Sequence, residues 1–275
     1  MSDTTLSPRS LRVGSRDWRS RSIIGLALAI FTIPYLLLLW LSLGTGWSYP
    51  NLSPDKVNFG PWKTLFADGN ELLRAALTSG LLSPFVATLS TTIGMMVGRQ
   101  VQSHRGIWRF IAYLPFACSP VIIGICLLDL FIRVGLDGSL VGVFAIQSIF
   151  ASAFAVILFS ELWSPEIRQM ENLVQTLGGT RWDVWRHAVW PRLWKLSAVC
   201  WLQTLLFSWL DYSLVSTIGG GVVPALTLSV ISYVREASMN QAAHGTIILL
   251  VPPIVFTILV GGLLRRRVPT GAVDG

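Results

Sequence analysis

Apolar residues gather along the chain into six runs, each long enough to cross a bilayer and each bounded by short polar or charged segments. A span needs about 20 mostly apolar residues at about 1.5 Å of rise each. The runs cover residues 23–43, 76–98, 110–131, 139–160, 194–213 and 241–264. The first follows a cluster of arginines, as a signal peptide would. Its apolar stretch is longer than the h-region of about 7–15 residues and lacks an A-x-A end, so it reads as an uncleaved anchor. Prolines fall within four of the runs: Pro34, Pro84, Pro115 with Pro120, and Pro252 with Pro253. Each removes a helix hydrogen bond that a neighbouring helix or water must replace. Ordinary helix packing and the lining of a pathway both accommodate such prolines.

Charge gives this pattern a direction. Six spans put both termini on one side. With the termini inside, sixteen of the 21 Lys and Arg lie inside and five outside: Lys56, Lys63, Arg74, Arg133 and Arg235. That asymmetry follows the positive-inside rule. The net charge of +7 is accounted for by topology, with no nucleic-acid partner implied. Composition agrees, because 52% of residues are hydrophobic and 13% are charged, about half the charged share of a soluble domain. The expected fold is therefore all-α and integral to the membrane, with six transmembrane helices and both termini cytoplasmic. It comprises a basic tail (1–22), a first span with an external loop (23–69), a core (70–265) and a short cytoplasmic tail (266–275).

Chemistry of its own is hard to find. There is no G-x-x-x-x-G-K-[ST] loop for ATP and no H-E-x-x-H. The histidines His104, His187 and His244 are scattered, and Cys118, Cys126 and Cys200 lie in apolar runs without metal spacing. No cofactor, metal or catalytic residue is expected. Asp129, Asp211 and Glu161 stand toward the ends of spans, where a charge is less costly than at mid-bilayer. They suit structural or vestibule roles better than a proton relay. A transporter without an ATP site or a relay takes its energy from a partner.

The most informative stretch is the inner loop over residues 162–192. Ser164-Pro165-Glu166 reads as an N-cap, a proline at the first helical position and an acidic first turn. Ile167, Met170, Leu173, Val174 and Leu177 then make one apolar helix face, opposite Arg168, Glu171, Asn172, Gln175 and Thr176. Gly178-Gly179 supplies a left-handed stop. Thr180 with Asp183 forms a variant capping box, and Trp182, Trp185, Ala188 and Val189 form a second stripe before Pro191. Two short amphipathic helices are expected, either resting on lipid headgroups or presented as a rigid knob to a partner.

Residues 173–191, LVQTLGGTRWDVWRHAVWP, resemble the cytoplasmic loop of binding-protein-dependent ABC importer permeases. That pattern runs Glu-Ala-Ala, three residues, Gly, nine residues, Ile, one residue, Leu-Pro. Gly178 takes the glycine, Ala188 the isoleucine position, and Trp190-Pro191 the Leu-Pro. Asn172-Leu173-Val174 stands for Glu-Ala-Ala, with Glu171 displaced by one. The resemblance covers about residues 70–265. It extends to Leu77-Thr78-Ser79 through Thr92, to Leu114-Pro115, and to the region from Phe207 to Val234.

The resemblance implies a permease subunit of an ABC importer in a bacterial inner membrane, not itself an enzyme. Its partners would be a cytoplasmic ATPase dimer, a second identical or related permease, a periplasmic solute-binding protein and the surrounding lipid. The ATPase-coupling residues it implies are Glu171, Asn172, Thr176, Leu177, Gly178, Gly179, Thr180, Arg181, Trp182 and Pro191. Asp211, Tyr212 and Gly219-Gly220-Gly221 are candidates for an outer vestibule. The alternative is an ion-gradient-driven secondary carrier, which would show an essential charge within the membrane.

Overall fold

The computed structural model describes residues 16–45, 56–57, 62, 70–103, 106–117, 119–163 and 165–265. Most of the basic tail (1–22), most of the 46–69 loop, Cys118, the Ser164 cap and the 266–275 tail lie outside the described residues. The chain divides into two units, Met1–Asn58 and Phe59–Gly275.

The first unit holds helix α1, Arg16–Leu43. Strands β1, Gly44–Thr45, and β2, Lys56–Val57, pair antiparallel, with Gly44 opposite Val57. Ile24, Leu28, Tyr35, Leu39 and Trp40 are all exposed on α1. A helix that is apolar on every side calls for an apolar solvent.

The second unit contains α2, Glu71–Ser103; α3, Ile107–Ala117; α4, Pro120–Val134; α5, Leu140–Leu162; and α6, Pro165–Thr176. A helical turn α7, Arg181–Asp183, leads through a π segment, Val184–Val189, into α8, Trp190–Leu210. The short helices α9, Ser213–Ile218, and α10, Leu226–Arg235, precede α11, Met239–Arg265. Five helices among the described residues are long and apolar enough to cross a membrane: Ile24–Leu43, Glu71–Gln102, Leu140–Glu161, Trp190–Leu210 and Met239–Leu264.

The run at 110–131, expected as one span, is two helices instead. Ser119 between them has extended backbone, with φ −62° and ψ 140°. Pro120 forces this break: its ring disfavours helical geometry at the preceding residue, and its fixed φ starts α4. At 11 and 15 residues, neither piece reaches the length of about 20 needed alone. Pro34, Pro84, Pro252 and Pro253 sit inside continuous helices.

A second departure lies after the glycine pair. The stretch around Trp182 and Trp185 is not a separate short helix. The backbone is helical from Arg181 to Leu210, with a π segment where Trp190 donates its N–H to the Trp185 carbonyl. Pro191 has no N–H to offer, and the wider π turns directly before it take up the mismatch.

Small residues hold the second unit together. Gly94 and Gly98 lie four apart on α2, facing Ala155 and Phe159 on α5. A Cβ on Gly94 would collide with Ala155, and one on Gly98 would lie 2.8 Å from the Phe159 Cβ. This is the close backbone approach that helix pairs in lipid exploit. Above this seam, Leu82, Val86, Val143, Ala151, Val215 and Val223 form a core, and Phe131, Ile146, Phe150, Leu214 and Ile218 form a second. Gly94→Leu is expected to destabilise the protein by about 1–3 kcal/mol through overpacking. Gly261→Leu, on α11 where nothing lies within 4 Å of the added carbon, is expected to be neutral. Thermal unfolding of the two variants in detergent checks the contrast.

Candidate functional site

The loop beyond α5 is a rigid turn built from local hydrogen bonds. Helix α6 ends in a Schellman arrangement: Gly179 N–H donates to the Val174 carbonyl at 3.0 Å, and Gly178 N–H to that of Gln175 at 3.0 Å. Gly178 has φ +82°, which a side chain resists. Thr180 then caps α7 reciprocally with Asp183. The Asp183 N–H donates to Thr180 Oγ1 at 3.3 Å, while the Thr180 N–H and hydroxyl donate to Asp183 Oδ2 at 2.9 and 2.6 Å. These bonds to Thr180 hold the Asp183 carboxyl below its ordinary pKa, and His187 and Arg186 lower it further.

This turn rests on the ends of three long helices. Trp163, Ile167, Val184, Val189 and Leu193 are buried together, with Met95 of α2, Val174 and Trp185 packed against them. On α6 the inward face is Ile167, Glu171 and Val174, spaced i, i+4, i+7. The expected apolar stripe therefore divides. Ile167 and Val174 turn in, while Met170, Leu173, Leu177 and Trp182 stay exposed at 42, 62, 80 and 65%.

Glu171, named among the ATPase-coupling residues, was expected on the outer polar face of α6, and the structure turns it inward instead. It is 5% exposed, and its Oε2 accepts a hydrogen bond from Arg99 of α2 at 2.7 Å. Asn172, Thr176, Gly178, Thr180, Arg181 and Pro191 are exposed, and Gly179 is half-buried beneath Val174. Leu177 and Trp182, on either side of the turn, are thus exposed, whereas Glu171 is buried. The sequence pattern missed Arg99 because its partner lies 72 residues away.

At the opposite end of α2 the vestibule candidates do different things. Asp211 is half-buried and turned inward: its Oδ2 accepts from Gln147 Nε2 at 3.0 Å. Gln147, fully buried on α5, accepts from the Ser208 hydroxyl at 2.8 Å. Ser208 lies 3.3 Å from the Ser83 hydroxyl on α2. Asp211 also accepts at its carbonyl from the Thr227 hydroxyl of α10, and Ser79 accepts from the Leu226 N–H. One polar chain therefore ties α2, α5, α8 and α10 together in an otherwise apolar interior. Sequence reading singled out Asp211 but had no signal for Gln147 or Ser208, which are scattered polar residues in mostly apolar helices. Tyr212 meets Arg235 at 3.4 Å. Gly220 and Gly221, with φ +56° and +79°, turn the chain between α9 and α10. Beside that turn a cavity of about 400 Å³ is lined by Glu71, Arg74, Val222, Tyr233 and Glu236, among others.

Two outcomes follow from these geometries. Gln147→Leu removes one hydrogen bond each from Ser208 and Asp211 and is expected to cost about 1–3 kcal/mol, read as a lowered unfolding midpoint. Asp183 has its carboxyl depressed in the folded chain. Its contribution is therefore fully present above the unfolded value and is lost as pH falls through the lower folded value. Amide exchange over residues 178–184, corrected for intrinsic rates, should stay flat above about pH 4 and rise as pH falls below it. Asp183→Asn should be fast throughout.

Comparison with known proteins fits this arrangement. No family model matches the chain. The spermidine/putrescine transport system permease protein PotC of Escherichia coli K12 is 25% identical over 202 residues, covering 72% of this chain and 76% of that one. The Shigella flexneri protein of the same name matches equally. Among solved structures, a bacterial ABC transporter involved in import of the acidic polysaccharide alginate superposes with a TM-score of 0.63 at 16% identity, covering 92% of this chain and 96% of that one. The inward-facing methionine ABC transporter MetNI gives a TM-score of 0.56 at 14% identity, covering 75% and 98%. The shared fold, the sequence match over most of the chain and the multi-pass helical architecture support one reading: a permease subunit of an ABC importer, similar in sequence to PotC.

Proposed function

We propose that the turn at residues 176–182 is the surface through which this permease is driven by its ATPase. The observation that carries the reading is the exposed apolar set Met170, Leu173, Leu177 and Trp182, displayed around a turn fixed by a Schellman bond pair and a capping box. Large apolar side chains held open on a stiff support suit a groove in a partner. A floppy loop would absorb the force it has to pass on. In this reading the loop faces the cytoplasm and the permease core, residues 70–265, lies in a bacterial inner membrane. The broken pair α3 and α4 together take the place of one span, giving six crossings with both termini inside.

The core pairs with a second permease, identical or related, two ATPase subunits bind beneath, and a periplasmic binding protein delivers solute to the outer face. ATP-driven closure moves the loop and opens the pathway alternately to each side. Residues 211–221 close its outer end, where Asp211, Tyr212 and the Gly219–Gly221 turn meet α10. The similarity to PotC of the spermidine/putrescine transport system makes spermidine and putrescine the first solutes to assay.

The test is recovery of partners with the tagged chain in mild detergent. An ATPase subunit should copurify with the wild type and be lost or much reduced with Gly178→Leu, which strains the turn, and with Trp182→Ser, which removes the largest exposed anchor. Recovery of the chain alone, with uptake persisting in liposomes that hold no ATPase, would overturn the reading in favour of an ion-driven carrier. Undiminished recovery with both variants would move the docking surface elsewhere.

A further inference from the structure

The Arg99–Glu171 pair lies outside the docking surface, and its position assigns it a different task. Glu171 is a carboxylate on a solvent-facing helix that has been turned inward to 5% exposure. Arg99 Nη2 lies 2.7 Å from its Oε2, and the same guanidinium lies over the Trp163 ring, 5.1 Å from its centroid. Among the described residues no other cation pairs with that carboxylate, and its Oε1 is buried without a hydrogen-bond partner. A charge in this position is costly once its partner is removed, so the carboxylate is held to one place. Three elements meet there: the inner end of α2 through Arg99, the end of α5 through Trp163, and α6 through Glu171. Arg99 directly follows Gly98, where α2 lies against Phe159 of α5. A displacement of α6 therefore has a short, stiff path into the α2–α5 seam.

Accepting that the 176–182 turn is the ATPase surface, we propose that Arg99 and Glu171 are positioning residues forming an internal strut. The strut passes the motion of α6 to α2 and α5, and Glu171 does not contact the ATPase. Apolar packing around Ile167 and Val174 holds the loop in place but allows it to slide. A charged pair braced against an aromatic ring fixes both distance and direction.

The test uses the intact complex recovered with the tagged chain, with native cysteines 118, 126 and 200 replaced by serine. A fluorophore is carried at Asp137→Cys, in the exposed turn between α4 and α5. Trapping the ATPase with ADP and vanadate should shift the label's emission in the otherwise wild-type complex. Arg99→Met and the isosteric Glu171→Gln should each keep the ATPase bound and hydrolysing while losing that shift. Arg99→Lys, which keeps the charge, should restore part of it.

A full shift in both Arg99→Met and Glu171→Gln would overturn the strut. So would loss of the bound ATPase in Glu171→Gln, since the carboxylate would then serve docking. Comparison of unfolding midpoints separates a misfolded variant from an uncoupled one, and Glu171→Gln carries the reading if Arg99→Met fails to fold. Absence of any ATPase from the wild-type complex would instead defeat the docking assignment itself, and the strut with it.

Discussion

The close approach of α2 and α5 at Gly94 and Gly98 is the constraint from which the rest of the core follows. Apolar side chains gain nothing by leaving lipid for a protein interior of equal polarity, so helices in a bilayer need another reason to associate. Here the reason is contact at backbone range, where a single added carbon on Gly94 meets Ala155. Once that seam is fixed, its continuation toward the start of α2 brings Ser83 and Gln147 within reach of Ser208. Its continuation toward the end of α2 brings Arg99 over the Trp163 ring. The polar contacts are set in place by the small residues between them.

The two polar features differ in kind. The outer chain through Gln147 and Ser208 is made of short side chains whose bonds join four helices without net charge until Asp211. Such bonds are worth modest energies in a membrane, because the separated helices also find partners. What they supply is register: each helix has one height at which its donor meets an acceptor. The Arg99–Glu171 pair carries full charges, with Arg99 still half-exposed.

Much of this was legible in the sequence wherever a long-range property accumulates over many residues. Four of the five long helices fall at or near runs of apolar residues in the second unit, and α1 does so in the first. Length and hydropathy are enough to find them. The 110–131 run shows the limit of that rule, since hydropathy continued through Pro120 while the backbone did not. In the loop, the glycine stop and the Thr180–Asp183 cap were readable because both are interactions of near neighbours. The inward turn of Glu171 was not, because polarity placed it on the outer face and the deciding cation lies on another helix. Gln147 and Ser208 were silent for the same reason: a scattered polar residue in a mostly apolar helix gives no hint of what it will face.

The π segment at Val184–Val189 sets the bearing of everything before it. A turn closed by i→i+5 bonds holds about one residue more than an α turn, and one residue is worth about 100° of rotation around a helix. Trp182 therefore points where it does relative to Leu193 and Cys200 because of the surplus, although neither belongs to it. Shortening the segment by one residue would return its i→i+5 bonds to the i→i+4 pattern and swing the tryptophan by about 100° around the axis. The aim of the loop is thus stored in a count of residues and not in the identity of any of them.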